Sequence, residues 1–304
     1  MPGQEERAKL TASALAKAYH LIGYQALGIG DADLAAGADW LRNLSKNSKF
    51  YFISANLTSK SGQATLFPPA VILPAGSLKV GIIALTGPAA ASPGYQVRPW
   101  QEALPGLLAK TAKKSDLIIL LSDLPLAETK AVVATYPAIR IVIQGGPPQS
   151  SPATTPQSRP SGSTPILSVA PEGRQLGVLD IDWRPGRPWA PQELARLTAA
   201  RTALAQTRSE LKKLSPRESP PPGSTNPARQ ALTARELALE AAIKELSDKL
   251  GPANLKAGFS TYVNRTINLD ASLPEDQAVK AITERLDAGI QAPAAGKAPA
   301  RPGP

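Results

Sequence analysis

Short apolar runs and helix-patterned segments alternate from the N-terminus to about Trp183, and this alternation is the strongest constraint on the fold. The apolar runs include FYFISANL, DLIILLSD and RIVIQGG, and segments with apolar residues at helical spacing lie between them. Two more runs, AVILP and LKVGIIALTG, flank a Gly-Ser turn, which is typical of a β-hairpin. Alternating strands and helices predict an α/β domain with helices packed on a sheet, which we place at residues 1–185.

Leucines at heptad spacing follow this domain. The repeats are Leu197, Leu204 and Leu211, and then Leu232, Leu239 and Leu246 after a Pro-rich loop. Two heptad helices joined by a loop predict an antiparallel helical hairpin, a short coiled coil, at residues 186–255. Pairing of the two apolar stripes within the chain is the simplest arrangement. Self-association or docking on a partner is the alternative.

The remaining residues predict a strand, a helix and a tail. FSTYVNRTINLD alternates like a strand, and the helix after it has Ser272 as its N-cap and Glu275 as the partner in a capping box. We expect this strand and helix, residues 256–290, to pack back on the first domain. Residues 291–304 lack core-forming side chains, so we expect a disordered tail.

Residues 184–235 carry seven of the ten net positive charges of the chain. Between residues 184 and 235 three glutamates stand against the following basic residues: Arg184, Arg187, Arg196, Arg201, Arg208, Lys212, Lys213, Arg217, Arg229 and Arg235. A basic segment can bind nucleic acid, anionic lipid or an acidic protein, and a solvated helix surface is the simpler interpretation. Aromatic residues are not interleaved with these charges along the helices, which argues against single-strand stacking, and we expect no nucleic-acid partner. No apolar run reaches about 18 residues, so we expect no membrane span.

The chain contains one histidine, His20, and no cysteine. The absence of cysteine excludes disulfides, thiolate metal sites, cysteine nucleophiles and haem attached through cysteines. A catalytic triad would have to use His20, and no second imidazole exists for a metal centre. Because His20 lies in a helical pattern beside Leu21 and Ile22, we interpret it as a surface or half-buried helix residue.

Several segments, in the same order, resemble the metallophosphoesterase domain of bacterial 5′-nucleotidases, in the calcineurin-like superfamily. Gly23-Tyr24-Gln25-Ala26, Gly37 and Ser54-Ala55-Asn56 match the flanks of the family's Gly-Asn-His-Asp/Glu motif. The ends of LLSD and VIQGGPPQ match its Leu-Ser-His and Gly-Gly-His-x-His strand ends, and GRQLG matches its closing signature. The resemblance covers roughly residues 14–183. It implies a truncated metallophosphoesterase-like sheet-and-helix sandwich, to which the helical hairpin is added.

The metal-binding positions of that family are degenerate in this chain. In the family two metal ions held by Asp, Asn and His activate water for attack on a phosphoester. The corresponding residues here are Asp31, Ala32, Asp33, Asp123, Pro147 and Gln149. The family's first two metal motifs lie upstream of the matched region, and we expect no room for them. Asp31 and Asp123 keep oxygen atoms that suit Ca²⁺ or Mg²⁺, and weak binding there stays open. We expect no catalytic residue, no bound transition metal and no cofactor.

These observations predict a non-catalytic, phosphoesterase-like structural or binding subunit of an assembly. The alternative is a residual metal-dependent phosphoesterase or a nucleotide-binding protein that acts through unrecognised residues. Some relatives carry a cytochrome domain next, so the resemblance implies a multihaem cytochrome as a partner, with copies of the same chain as the rival. It also implies a periplasmic or extracellular location. The first residues, MPGQEERAKL, lack the apolar segment of a signal peptide, so the compartment stays open.

Overall fold

The computed structural model describes residues 2–62, 64–89, 94–145, 164–170, 173–214 and 227–291, in two compact units. The first unit comprises Met1–Ala153, Thr164–Leu176 and Thr266–Pro304, and the second comprises Thr154–Ser163 and Gly177–Arg265. The predicted tail, from residue 292 onward, lies outside the described residues. The domain boundaries given above stay a prediction.

Strands and helices alternate in the first part of the chain, as predicted. The strands are β1 (Ala26–Gly28), β2 (Tyr51–Ile53), β3 (Leu57–Ser59), β4 (Ala70–Ala75), β5 (Leu78–Leu85), β6 (Tyr95–Val97), β7 (Leu117–Ser122), β8 (Ile141–Gln144), β9 (Ile166–Leu167), β10 (Gln175–Asp182) and β11 (Thr261–Asn268). The helices are α1 (Pro2–Ile22), α2 (Ala38–Lys46), α3 (Trp100–Ala112), α4 (Leu126–Thr135), α5 (Gln192–Lys213), α6 (Pro227–Leu250), α7 (Pro252–Ala257) and α8 (Gln277–Gln291).

The main sheet has the strand order β4-β5-β7-β8-β9. Strands β5, β7, β8 and β9 run parallel, and β4 joins β5 antiparallel. The predicted hairpin is therefore confirmed. Its two-residue turn begins at Gly76, whose φ of 61° lies in the left-handed region that glycine adopts without steric cost.

Helices α3 and α4 contribute to the core on one face of the main sheet. Leu104 of α3 and Val132 of α4 are fully buried in one cluster with Ile83 of β5 and Leu120 of β7. This cluster covers one face of β5 and β7. Parallel strands are usually covered on both faces, which explains why the sequences of these two strands are almost entirely apolar.

The other face of the main sheet is covered by a second layer built on β1 and β2. These strands pair in parallel. A Cβ atom added to Gly28 of β1 would lie 2.9 Å from Cβ of Leu121, so β1 packs directly against β7. Helices α1 and α2 close this layer over an aromatic core in which Phe50 and Phe52 stack with ring centroids 5.0 Å apart. The predicted sheet-and-helix sandwich is thus observed.

Helix α8 packs against α1 in the first unit, but its predicted N-cap is wrong. The helix begins at Gln277, and the side chain of Asp276 accepts hydrogen bonds from the N–H groups of Ala278 and Val279, at 2.9 and 3.0 Å. Ser272 instead donates to Asp270. A carboxylate is a strong cap because it also interacts favourably with the helix dipole.

The second unit contains the predicted helical hairpin. Helices α5 and α6 pack antiparallel, since Leu197 near the start of α5 clusters with Leu250 at the end of α6. Farther along, Arg208 of α5 binds Glu236 and Glu240 of α6. The heptad leucines of both helices, starting with Leu197, are buried or half-buried. The leucine stripe of each helix therefore faces the other helix.

Strands β10 and β11 form a two-stranded sheet near the base of this hairpin. Arg265 of β11 binds Asp180 of β10 with a nitrogen–oxygen distance of 2.9 Å. Next to it, Trp189 is 2 % exposed and packs edge-on against Tyr262, with ring centroids 5.3 Å apart. None of the helices in the described ranges has the length and apolar character needed to cross a membrane.

Candidate functional site

The carboxyl ends of the parallel strands bring four segments to one edge of the main sheet. Thr86 and Gly87 follow β5, Asp123 follows β7, and Gln144 ends β8. The segment after β1 reaches the same edge, because the N–H of Asp31 donates to Oδ2 of Asp123 at 3.0 Å. In open sheets with parallel strands, this edge is where ligands bind.

The structure brings four of the predicted site positions together here. Asp31, Ala32 and Asp33 lie in the turn after β1, and Asp123 lies across from them. Pro147 and Gln149 lie outside the described residues. His20 is exposed in the last turn of α1, which agrees with its interpretation as a surface residue.

The carboxylate of Asp123 is held by main-chain groups. Its Oδ2 atom accepts from Asp31 N at 3.0 Å and from Gly87 N at 3.1 Å. Glycines make this approach possible. A Cβ atom added to Gly30 would lie 3.0 Å from Oδ1 of Asp123, and one added to Gly87 would lie 2.3 Å from the Asp123 carbonyl oxygen.

Two carboxyls of this cluster have perturbed acidity. Burial raises the pKa of Asp123, hydrogen bonds from Asp31 and Gly87 lower it, and the charge of Asp31 raises it. Asp33 is exposed as a residue, but its carboxyl is largely desolvated, and this raises its pKa. The hydrogen bond from Gly30 opposes that increase, and the neighbouring aspartates add to it.

A buried polar network lies beneath these strand ends. Asn56, which is 1 % exposed, donates through Nδ2 to the carbonyl oxygens of Thr86 and Arg98, and its Oδ1 accepts from Thr86 N at 2.8 Å. Thr86 in turn bonds Ser54 Oγ and the carbonyl oxygen of Ile29, each at 2.7 Å. The network therefore joins the ends of β1, β2 and β5.

No family model matches the sequence, and no curated protein matches it. Solved structures do match. The chain is similar in part to solved phosphoesterases.

A 5′-nucleotidase precursor from Thermus thermophilus matches with a TM-score of 0.46 and 22% identity, over 56% of this chain and 38% of that chain. The calcineurin-like phosphoesterase YfkN from Bacillus subtilis matches with a TM-score of 0.49 and 16% identity, over 77% of this chain and 75% of that one. SoxB from Thermus thermophilus, a sulfate thiohydrolase, matches with a TM-score of 0.49 and 14% identity, over 77% and 39%. The chain spans well under half the length of the 5′-nucleotidase precursor and of SoxB.

The residues at this edge do not fit the two-metal centre of metallophosphoesterases. Ala32, at the position of the family's catalytic histidine, has no polar side chain, and one oxygen each of Asp33 and Asp123 already accepts main-chain hydrogen bonds. The described residues contain no group of three or more His, Asp or Glu side chains placed to hold a metal ion. A two-metal centre needs several ligands for each ion, and the described residues at this edge supply only a few carboxylate oxygen atoms.

We expect the variant Asp123→Asn to gain stability relative to the original chain as the pH rises. The pKa values of Asp33 and Asp123 are higher in the folded than in the unfolded chain, so these groups oppose folding as they ionise. Asparagine keeps an oxygen acceptor for both N–H groups and carries no charge. Urea unfolding at several values from about pH 4 to about pH 7 measures the difference.

The exposed Asp287 of α8 provides the control. Asp287→Asn removes one carboxylate from the exposed surface, and its effect on unfolding at each pH is compared with that of Asp123→Asn. A constant difference in stability between Asp123→Asn and the original chain at every pH would contradict the expectation.

Proposed function

We propose that this chain is a phosphoesterase-like subunit without hydrolytic activity that works by binding another protein. The set of donor atoms at the strand ends supports the first half of this proposal. Where the resemblance puts the catalytic histidine, the chain has Ala32. Where it puts a metal-binding histidine, the chain has Asp123, whose carboxylate accepts hydrogen bonds from two N–H groups. Without a metal-activated water and its charge stabilisation, most of the rate enhancement is lost.

We expect no metal-dependent turnover of phosphoesters by the full chain. Hydrolysis of p-nitrophenyl phosphate and of bis(p-nitrophenyl) phosphate should match the buffer rate with and without Mn²⁺. The variant Asp31→Ala should behave identically. Mn²⁺-dependent hydrolysis that disappears in Asp31→Ala would instead support the alternative, a residual metal-dependent phosphoesterase.

The helical hairpin supports the second half of the proposal, because its positive charge is unevenly neutralised. Helix α6 neutralises itself through pairs such as Lys244–Asp248 and Lys249–Glu245. Two of its glutamates also bind Arg208 of α5. The other basic side chains of α5 are exposed and make no ion pair within the described ranges: Arg196, Arg201, Lys212 and Lys213.

This surface of α5 suits a partner with an acidic face. The apolar stripe of α5 packs against α6, so the side chains left to meet a partner are charged, polar or small. Complementary charge accelerates association and selects partners, and it is screened by salt. A multihaem cytochrome is the candidate that the resemblance supplies, and a second copy of this chain is the rival.

We expect neutralisation of the α5 surface to abolish association with the native partner. The variant has glutamine at Arg196, Arg201, Lys212 and Lys213, and recovery of the partner from the native source is measured by affinity capture and mass spectrometry. The control has glutamine at four exposed lysines of the first unit: Lys46, Lys49, Lys110 and Lys113.

The control carries the same net charge, so a loss confined to the α5 variant assigns the interface. Sedimentation of the purified chain tests for the second copy. Equal recovery of partners by both variants, with unchanged sedimentation, would remove the hairpin from the proposal.

A further inference from the structure

A cavity of about 510 Å³ lies in the first unit beside the strand ends. Its lining includes Thr86 and Gly87 after β5, Tyr95 of β6, and Trp100 in the first turn of α3. The volume lies in the range of small-molecule sites. The position, at the carboxyl end of a parallel strand, is one that α/β proteins use for ligands.

The walls of this cavity are fixed by the network around Asn56. Its amide group donates to the carbonyl oxygen of Thr86 at 2.9 Å and to that of Arg98 at 3.2 Å. Arg98 N donates back to the carbonyl oxygen of Asn56 at 2.8 Å. Because these bonds tie the end of β5 to the start of α3, the cavity is preformed rather than created by a ligand.

Two side chains of opposite charge line the cavity without ion partners among the described residues. They are Lys60, after β3, and Glu128, in the first turn of α4. A third charged side chain, Arg98, is already bound to Glu102 with a nitrogen–oxygen distance of 2.8 Å. The cavity therefore offers one cation and one anion to a ligand.

The start of α3 adds donors to the same wall. Helix α3 has 13 residues, and its N-cap is Pro99, which provides no side-chain cap. The free N–H groups of such a helix end favour a negative charge. The side chain of Trp100 is buried and forms part of the same wall.

We propose that this cavity binds a small zwitterion of the amino-acid type. Its carboxylate binds Lys60 and the N-terminal end of α3, and its ammonium group binds Glu128. An apolar side chain packs among Tyr95, Val97 and Leu124, which form the apolar part of the lining. The ligand needs both charges, because the cavity presents one of each sign.

Isothermal titration calorimetry of the full chain with L-phenylalanine tests the proposal. L-Phenylalanine amide lacks the carboxylate, N-acetyl-L-phenylalanine lacks the ammonium group, and sulfate carries negative charge alone. We expect L-phenylalanine to bind and each of the other three to bind about tenfold more weakly or worse, as for the loss of a charged hydrogen bond. If L-phenylalanine does not bind at millimolar concentration, or if the acetylated compound or sulfate binds equally well, the proposal is wrong.

Variants then locate the site. Lys60→Gln and Glu128→Gln should each weaken binding of L-phenylalanine about tenfold or more, while leaving the circular dichroism spectrum unchanged. Lys113→Gln and Glu210→Gln change exposed charges that do not line the cavity and should bind as the original chain does. Equal weakening by the control pair, or no weakening by Lys60→Gln and Glu128→Gln, would place the ligand elsewhere and overturn the proposal.

Discussion

Asn56→Ala should destabilise the first unit by about 3–5 kcal/mol, since several buried main-chain groups lose their partners at about 1–3 kcal/mol each. The amide of Asn56 bonds the N–H and the carbonyl oxygen of Thr86 and the carbonyl oxygen of Arg98. Asn56 is 1 % exposed, so these bonds are shielded from bulk water in the original chain. Alanine also leaves a cavity beneath the strand ends.

Urea unfolding, followed by tryptophan fluorescence and circular dichroism, measures this loss through the transition midpoint. Asn43→Ala is the matched control, because Asn43 is exposed on α2 and alanine is a better helix former. We expect the control to lie within about 0.5 kcal/mol of the original chain. Similar midpoints for the two variants would show that the network does not stabilise the fold.

Gly87→Ala should destabilise the first unit by about 3 kcal/mol, because a methyl group at this position has no space. The added Cβ atom would lie 2.3 Å from the carbonyl oxygen of Asp123, a main-chain atom that cannot rotate away. Relief requires the turn after β5 to move. That movement weakens the hydrogen bond from Gly87 N to Asp123 Oδ2.

Gly106→Ala is the control for Gly87→Ala, and the expected effect has the opposite sign. Gly106 lies inside α3, and nothing lies within 4 Å of an added Cβ atom. Alanine should therefore stabilise the helix by about 0.5–1 kcal/mol. If both substitutions shift the unfolding midpoint in the same direction, the close approach of Gly87 to Asp123 is not the cause.

The periodic patterns of the sequence predicted most of the elements. The runs LKVGIIAL and LIILLS form the buried strands β5 and β7, and Leu197 and Leu250 lie in the interface between the hairpin helices. Such predictions succeed because burial of one face leaves a repeat in the segment itself, whatever the partner is. The same reasoning failed at α8, where two nearby side chains, Ser272 and Asp276, could both cap a helix and only the observed bonds distinguish them.

At the candidate site, too, the sequence predicted some of the features and missed others. The sequence identified Asp31, Asp33 and Asp123 as positions of one site, but only through a resemblance. It gave no sign that main-chain N–H groups hold the Asp123 carboxylate. The role of Asn56 was also missed, although a polar residue inside the run FISANLTS is a usable signal, because a buried amide must find partners.

By itself the sequence determined where strands and helices form, which faces are apolar, and how little imidazole and thiol chemistry the chain has available. The tertiary structure alone decided which groups meet at the strand ends. The bond from Asp31 N to Asp123 joins residues 92 positions apart, and those from Asn56 to Thr86 join residues 30 apart. Periodicity reports the environment of each segment separately, whereas these contacts depend on the order in which the strands pair and on how closely two layers pack.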